Sequence, residues 1–137
     1  MNLSKNVKVV FVKAGQTAAT SAVNSDAVDL SGYEGVLFFG TIAVANAGNF
    51  LQVEQSTAEN FATKSVLDGA KMAVETNGDV AFVDVFRPQE KLGKYLRASI
   101  TRAGASTATG CIYAILYNGR VKPEDYAELA VSPAASV

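Results

Sequence analysis

Apolar and polar positions alternate at period two along most of this chain, in short runs broken by Gly, Asn, Asp and Pro. Such alternation, rich in β-branched and aromatic residues, predicts strands with one face buried. Two runs near the C-terminal end show it best. Tyr95–Thr101 sets Leu96, Ala98 and Ile100 against Tyr95, Arg97, Ser99 and Thr101. Cys111–Tyr117 sets Ile112, Ala114 and Leu116 against Cys111, Tyr113, Ile115 and Tyr117. A small-residue stretch around Gly104 separates them, and a central β-hairpin is the simplest expectation.

The other runs read as partners for that hairpin. Val7–Val12 is apolar at both parities apart from Lys8, which predicts a strand that is interior or covered on both sides. Residues 14–26 are small and polar, and fit either an irregular strand or a long loop. Ala27–Leu30 begins a short edge strand, and the glycines of Ser31–Gly35 predict a turn. Val36–Ile42 is the most apolar run and predicts a strand central in its sheet, with Leu37 and Phe39 on one face and Val36 and Phe38 on the other. Phe50–Ser56 predicts a half-exposed strand with Leu51 and Val53 inward. A short helical turn is expected at Thr57–Ala62, and a hairpin around Asp68–Gly69. Val80–Phe86 places Phe82, Asp84 and Phe86 on one face and Val83 and Val85 on the other, and Arg87–Pro88 ends it. Pro123 with Glu124 and Asp125 predicts a short helix over Lys122–Ala130.

About eight strands at this spacing, with no long helical period, predict an all-β fold, a β-sandwich or barrel. The chain has 137 residues, 49% of them hydrophobic, enough for one domain with its own core. Residues 1–6 and 131–137 are expected to be flexible or partner-bound termini. Charged residues make up only 18%, below the roughly 25% of an average soluble protein, which hints at assembly. The net charge of −1 gives no basis for nucleic-acid binding. No apolar run approaches membrane-spanning length, and Met1–Lys5 lacks the apolar region of a signal peptide.

Histidine is absent, which removes Ser-His and Cys-His nucleophile systems and most zinc sites. The single cysteine, Cys111, reads as a buried inert thiol in a strand. Glu54, Asp68, Asp79 and Asp84 lack the spacing of a calcium loop and read as solvated turn acids. No catalytic residue, cofactor or metal is assigned, and no enzyme is expected. The densest basic region is Arg87, Lys91, Lys94, Arg97 and Arg102 around Tyr95. It reads as a solvated face or as ion pairs to a neighbouring subunit, rather than as a stacking site for single-stranded nucleic acid. Tyr113 and Tyr117 share a half-polar strand face and serve equally well as interface or core.

The segments Asp29–Phe38 (D-L-S-G-Y-E-G-V-L-F), Leu51–Ser56 (L-Q-V-E-Q-S), Phe82–Val85 (F-V-D-V) and Lys94–Ala98 (K-Y-L-R-A) together resemble small head structural proteins of tailed bacteriophages, the capsid cement or decoration proteins. The resemblance spans Val7–Tyr117 and rests on strands and turns. It implies a jelly-roll-like β-sandwich on the outer surface of the virion head, made in the host cytoplasm. It further implies that the protein binds the major capsid protein, stabilises the lattice and forms a homo-oligomer, a dimer or trimer. The implied contacts lie in the termini and long loops, with Lys5, Gln16, Thr20, Tyr126 and Val137 among them. The basic residues Arg87, Lys91, Lys94 and Arg97, and the tyrosines Tyr113 and Tyr117, complete the implied interface. The alternative is a carbohydrate- or peptide-binding β-sandwich from a phage tail or fibre, with the tyrosines lining a shallow platform.

Overall fold

The computed structural model describes residues 7–86, 88 and 93–117. The expected helix at Lys122–Ala130 and both termini lie outside them. The described residues are all-β and form eleven strands. These are β1 (Val7–Lys13), β2 (Gln16–Ala19), β3 (Val23–Asn24), β4 (Val28–Asp29), β5 (Gly35–Thr41), β6 (Asn49–Ser56), β7 (Ser65–Ala73), β8 (Val80–Phe86), β9 (Tyr95–Arg102), β10 (Thr107–Thr109) and β11 (Ile112–Tyr117).

One sheet has the order β1-β11-β5-β8, all antiparallel. The second has the order β3-β9-β6-β7, with β4 also pairing β9. If β3 and β4 count as one interrupted strand, and the β2–β10 ribbon is set aside, eight strands remain. Their interleaving between the two sheets is that of a jelly roll. The first sheet turns Val12, Val36, Phe38, Val83, Ala114 and Leu116 inward. The second answers with Val23, Val28, Leu51, Val53, Leu96, Ala98 and Ile100, and the two sets form one apolar core. Period two therefore sets the faces as the alternation predicts.

Five local expectations need correction. The Tyr95–Tyr117 segment is not a hairpin. β9 pairs β6 in one sheet and β11 pairs β1 and β5 in the other. The Gly104 region crosses between sheets, where Gly104 N donates to Gly48 O at 3.2 Å and buried Asn49 Oδ1 accepts from Gly104 N and Ala105 N. Asp68–Gly69 is not a hairpin turn either. β7 runs through it, and its register against β6 jumps from Gln52↔Lys71 to Glu54↔Val66. Gly69, at φ 78°, supplies the left-handed residue of that bulge. Thr57–Ala62 forms turns, not helix. β1 is an edge strand with Val9 and Phe11 exposed, not a covered one. β6 is mostly buried along its length, not half-exposed.

Candidate functional site

The outer faces of the two sheets differ in kind. On the β3-β9-β6-β7 sheet the outer face is more polar, and the loop after β6 closes over part of it. Glu54 of β6 lies opposite Arg97 of β9. Arg97 Nε donates to Glu54 Oε1 at 2.8 Å, and Lys64 Nζ lies 3.4 Å from Glu54 Oε2. The loop after β6 brings Phe61 back over this pair, so that the Arg97 guanidinium sits 4.4 Å from its ring centroid. Phe61 is buried although it is in a loop, and it holds a positive φ of 58°. Ser99 Oγ donates to Asn24 Oδ1 at 2.7 Å on the same face.

On the β1-β11-β5-β8 sheet the register lines up three rows of outward residues. Phe11, Tyr113, Phe39 and Phe82 form the first row, one residue from each strand. Val9, Ile115, Leu37 and Asp84 form the second, and Val7, Tyr117, Gly35 and Phe86 the third. Phe11, Phe82 and Phe86 are each about half exposed, at 55%, 51% and 48%. No segment among the described residues covers this face. An aromatic row of this width, open to water, marks an interaction surface.

Side-chain packing stiffens the surface. Tyr113 lies edge-on to Phe11, with centroids 5.6 Å apart, and stacks on Phe39 at 5.7 Å. Two of the row's rings thus turn their faces to each other. The Tyr117 ring crosses over Gly35 on the neighbouring strand, where a Cβ would collide with it. That gap lets the Tyr117 hydroxyl donate to Asp84 Oδ1 on β8, while the ring stacks on Phe86 with centroids 6.1 Å apart. Burial first, and then the Asp84 carboxylate, push the Tyr117 hydroxyl pKa well above its ordinary 10.0.

The residues expected to form an interface do not gather in one place. Lys5, Arg87, Lys91, Tyr126 and Val137 lie outside the described residues. Tyr113 and Tyr117 belong to the bare sheet. Gln16 begins the β2–β10 ribbon and donates to Ala14 O at 3.0 Å, and Thr20 is exposed just after it. Lys94 is exposed, 3.6 Å from Asp29. The Asp29 carboxyl is held below its usual range by hydrogen bonds from Ser31, with a smaller contribution from Lys94.

Of the described members of the basic region, Lys94 is solvated, whereas Arg97 and Arg102 are not. Arg97 is committed to Glu54. Arg102 is buried, and donates to Ser21 O at 2.6 Å, Thr17 O at 2.8 Å and Thr107 O at 2.9 Å, tying the ribbon to β9. Glu54 is likewise buried in an ion pair rather than a solvated turn acid. Cys111 is exposed and lies between β10 and β11, not buried within a strand. Among the described residues no three His, Cys, Asp or Glu side chains gather as a metal site.

Sequence reasoning missed Val9, Phe11, Leu37, Phe39, Phe82, Phe86 and Ile115 as one surface. The signal was present in β1, β5 and β8, each apolar at both parities. Which sheet each strand joins was not legible.

No protein-family model matches the chain, and no curated protein matches it. Among solved structures it resembles the PBSX exported protein XepA, with a TM-score of 0.57 and 18% identity over 87% of this chain. It spans 39% of the XepA chain, so the likeness concerns one part of that protein. The SPBc2 prophage-derived protein YomS aligns over 82% of this chain at 10% identity and a TM-score of 0.46, covering 94% of its own chain. The Tobacco streak virus coat protein aligns over 87% of this chain at 12% identity and a TM-score of 0.41, covering 91% of its own. At these identities the XepA likeness establishes shared fold, and the β-sandwich is what it supports.

Proposed function

We propose that the chain is a non-enzymatic structural protein of a tailed-phage particle, bound to the outside of the head, where it contacts the major capsid protein and stabilises the lattice. The observation that carries this reading is the bare aromatic face of the β1-β11-β5-β8 sheet. A fold with a complete core still leaves four strands' worth of apolar residues for another surface. The fold shared with an exported protein of PBSX, XepA, and the sequence resemblance to phage cement proteins agree with it.

The division of labour follows from where the chain ends leave the sheet. Val7 and Tyr117, at the two ends of the described residues, pair with each other. The termini beyond them are the segments that would add a strand to a capsid subunit. Many weak contacts across a lattice then act together.

The test is the copy number of this chain in purified particles, by quantitative mass spectrometry against the major shell protein. A number equal to the shell subunit's, or a fixed fraction of it, is expected. Absence from particles sinks the proposal, and a handful of copies moves it to the tail or neck. Within a head-bound protein, removing residues 1–5 or 131–137 is expected to weaken particle binding with the far-ultraviolet circular dichroism unchanged.

A further inference from the structure

We infer that the bare face of the β1-β11-β5-β8 sheet docks a second copy of this chain, sheet upon sheet, about a two-fold axis parallel to the strands and running between β11 and β5. The inference deepens the structural reading above and rests on it for what association is for. The association itself needs no particle.

The chemistry of the rows narrows the occupant. Their only ionisable groups are Asp84 and the two tyrosines. A nucleic-acid backbone needs cations, and the rows offer none. A sugar platform needs ring faces turned outward, whereas Tyr113 and Phe39 turn theirs to each other and Phe11 meets Tyr113 edge-on. A flat apolar sheet face is best met by another sheet face, whose side chains interdigitate at about 10 Å separation.

Charge then chooses the orientation. A two-fold parallel to the strands lays β1 over β8 of the second copy, and β11 over its β5. The aromatic rows then coincide, with Phe11 over Phe82 and Tyr113 over Phe39. Asp84 falls over Val9 at the rim, so the two carboxylates sit at opposite edges and stay wet. A two-fold across the strands instead sets Asp84 over Asp84, like charges in contact, which is destabilising.

Size sets the strength. Four strands about 4.8 Å apart and three rows about 7 Å apart give a flat face of ~400 Å² per copy. The pair buries ~800 Å² before side-chain relief is counted, under the ~1,200–2,000 Å² of stable interfaces. The dimer is therefore weak in dilute solution and forms when copies are concentrated.

The experiment is sedimentation equilibrium of the full chain up to about 1 mM, where a Kd between ~10 µM and ~1 mM is expected. Phe82→Lys is expected to weaken association at least tenfold with an unchanged circular dichroism spectrum. Should that variant misfold, Val9→Glu at the opposite edge replaces it, since it sets a second carboxylate against Asp84 of the other copy. Orientation is read by disulfide trapping in a Cys111→Ser background. A mixture of the Phe11→Cys and Phe82→Cys chains is expected to cross-link to each other, and each chain alone is not. A wild-type chain that stays monomeric at every concentration overturns the inference, as does a dimer indifferent to both Phe82→Lys and Val9→Glu. Efficient self-cross-linking of Phe11→Cys overturns the orientation. None of these results alters the particle copy number, so the two proposals fail separately.

Discussion

The two sheets of this sandwich have the same architecture and opposite outer faces. On the β3-β9-β6-β7 sheet the loop after β6 returns over the strands, buries Phe61 and closes a Glu54–Arg97–Lys64 ion network beneath it. On the β1-β11-β5-β8 sheet no described segment returns, and a row of four aromatic residues faces water. The core does not explain the difference, because both inner faces contribute to one apolar cluster. Among the described residues, one sheet carries part of its cover in the same chain and the other carries none.

That contrast makes adjacent residues on β5 behave differently. Phe38 points inward and is fully buried, while its neighbour Phe39 points to the bare face. Phe38→Ala is expected to cost about 3–5 kcal/mol of folding stability, through lost transfer energy and the cavity left between the sheets. Phe39→Ala is expected to cost about 1 kcal/mol, its main effect falling on association. Urea denaturation of both variants at low protein concentration measures the gap. Equal losses would mean that the outer face is core, and the contrast between the sheets would dissolve.

The closed sheet is tested at its ion pair. The side chains of Glu54 and Arg97 are 5% and 16% exposed, so removing one partner strands a largely desolvated charge against the Phe61 ring. Glu54→Ala is expected to destabilise by about 3 kcal/mol, near the low end for a broken buried pair because Arg97 retains some water. The double variant Glu54→Ala with Arg97→Ala should recover part of that loss, since no unpaired charge is left behind. A Glu54→Ala midpoint shift worth under 1 kcal/mol would show that the network is ornamental and that Phe61 packing alone closes the face.

How much of this was legible in sequence depends on range. Period two separated the two faces of β5, β8, β9 and β11 correctly, because a strand's faces are local geometry, while which face meets solvent was not legible. Strand partnership is not local. Tyr95–Arg102 and Ile112–Tyr117 looked like hairpin arms because only nine residues separate them. The deciding contacts, Gly104 on Gly48 and the buried Asn49 on the backbone of Gly104 and Ala105, come from half the chain away. Asp68–Gly69 carried a true turn signal, overridden because β6 pairs with the residues on either side of it. Phe61 lies outside the periodic segments, where alternation says nothing about burial, while Cys111 shares the outward parity of Tyr113 and is exposed. The bare face was half visible. Both parities of Val7–Val12 are apolar, which predicts cover on both sides, and the structure locates the side on which that cover is missing.

The smallest effect probes the hydrogen bond between Tyr117 and Asp84 on the bare face. Tyr117 reaches over Gly35 to donate to Asp84, bridging β11 and β8 across the strand between them. Tyr117→Phe is expected to lower stability by about 0.5–1 kcal/mol at neutral pH, the ordinary net value of one hydrogen bond. The alkaline limb is more specific. Burial and the Asp84 charge raise the folded-state pKa of Tyr117 above its unfolded value of about 10.0. The protonated hydroxyl therefore contributes stability in full below about pH 10, and that contribution is lost as pH rises further, because the unfolded chain ionises first. The wild type should lose stability above pH 10 more steeply than Tyr117→Phe, and one of the five tyrosines should resist ionisation in an absorbance titration of the folded protein. If docking of a second copy buries this face, raising the protein concentration should push that late titration higher still. A Tyr117 titration indifferent to concentration would leave the bare face bare, and would separate the strand-bridging role of this tyrosine from any part in assembly.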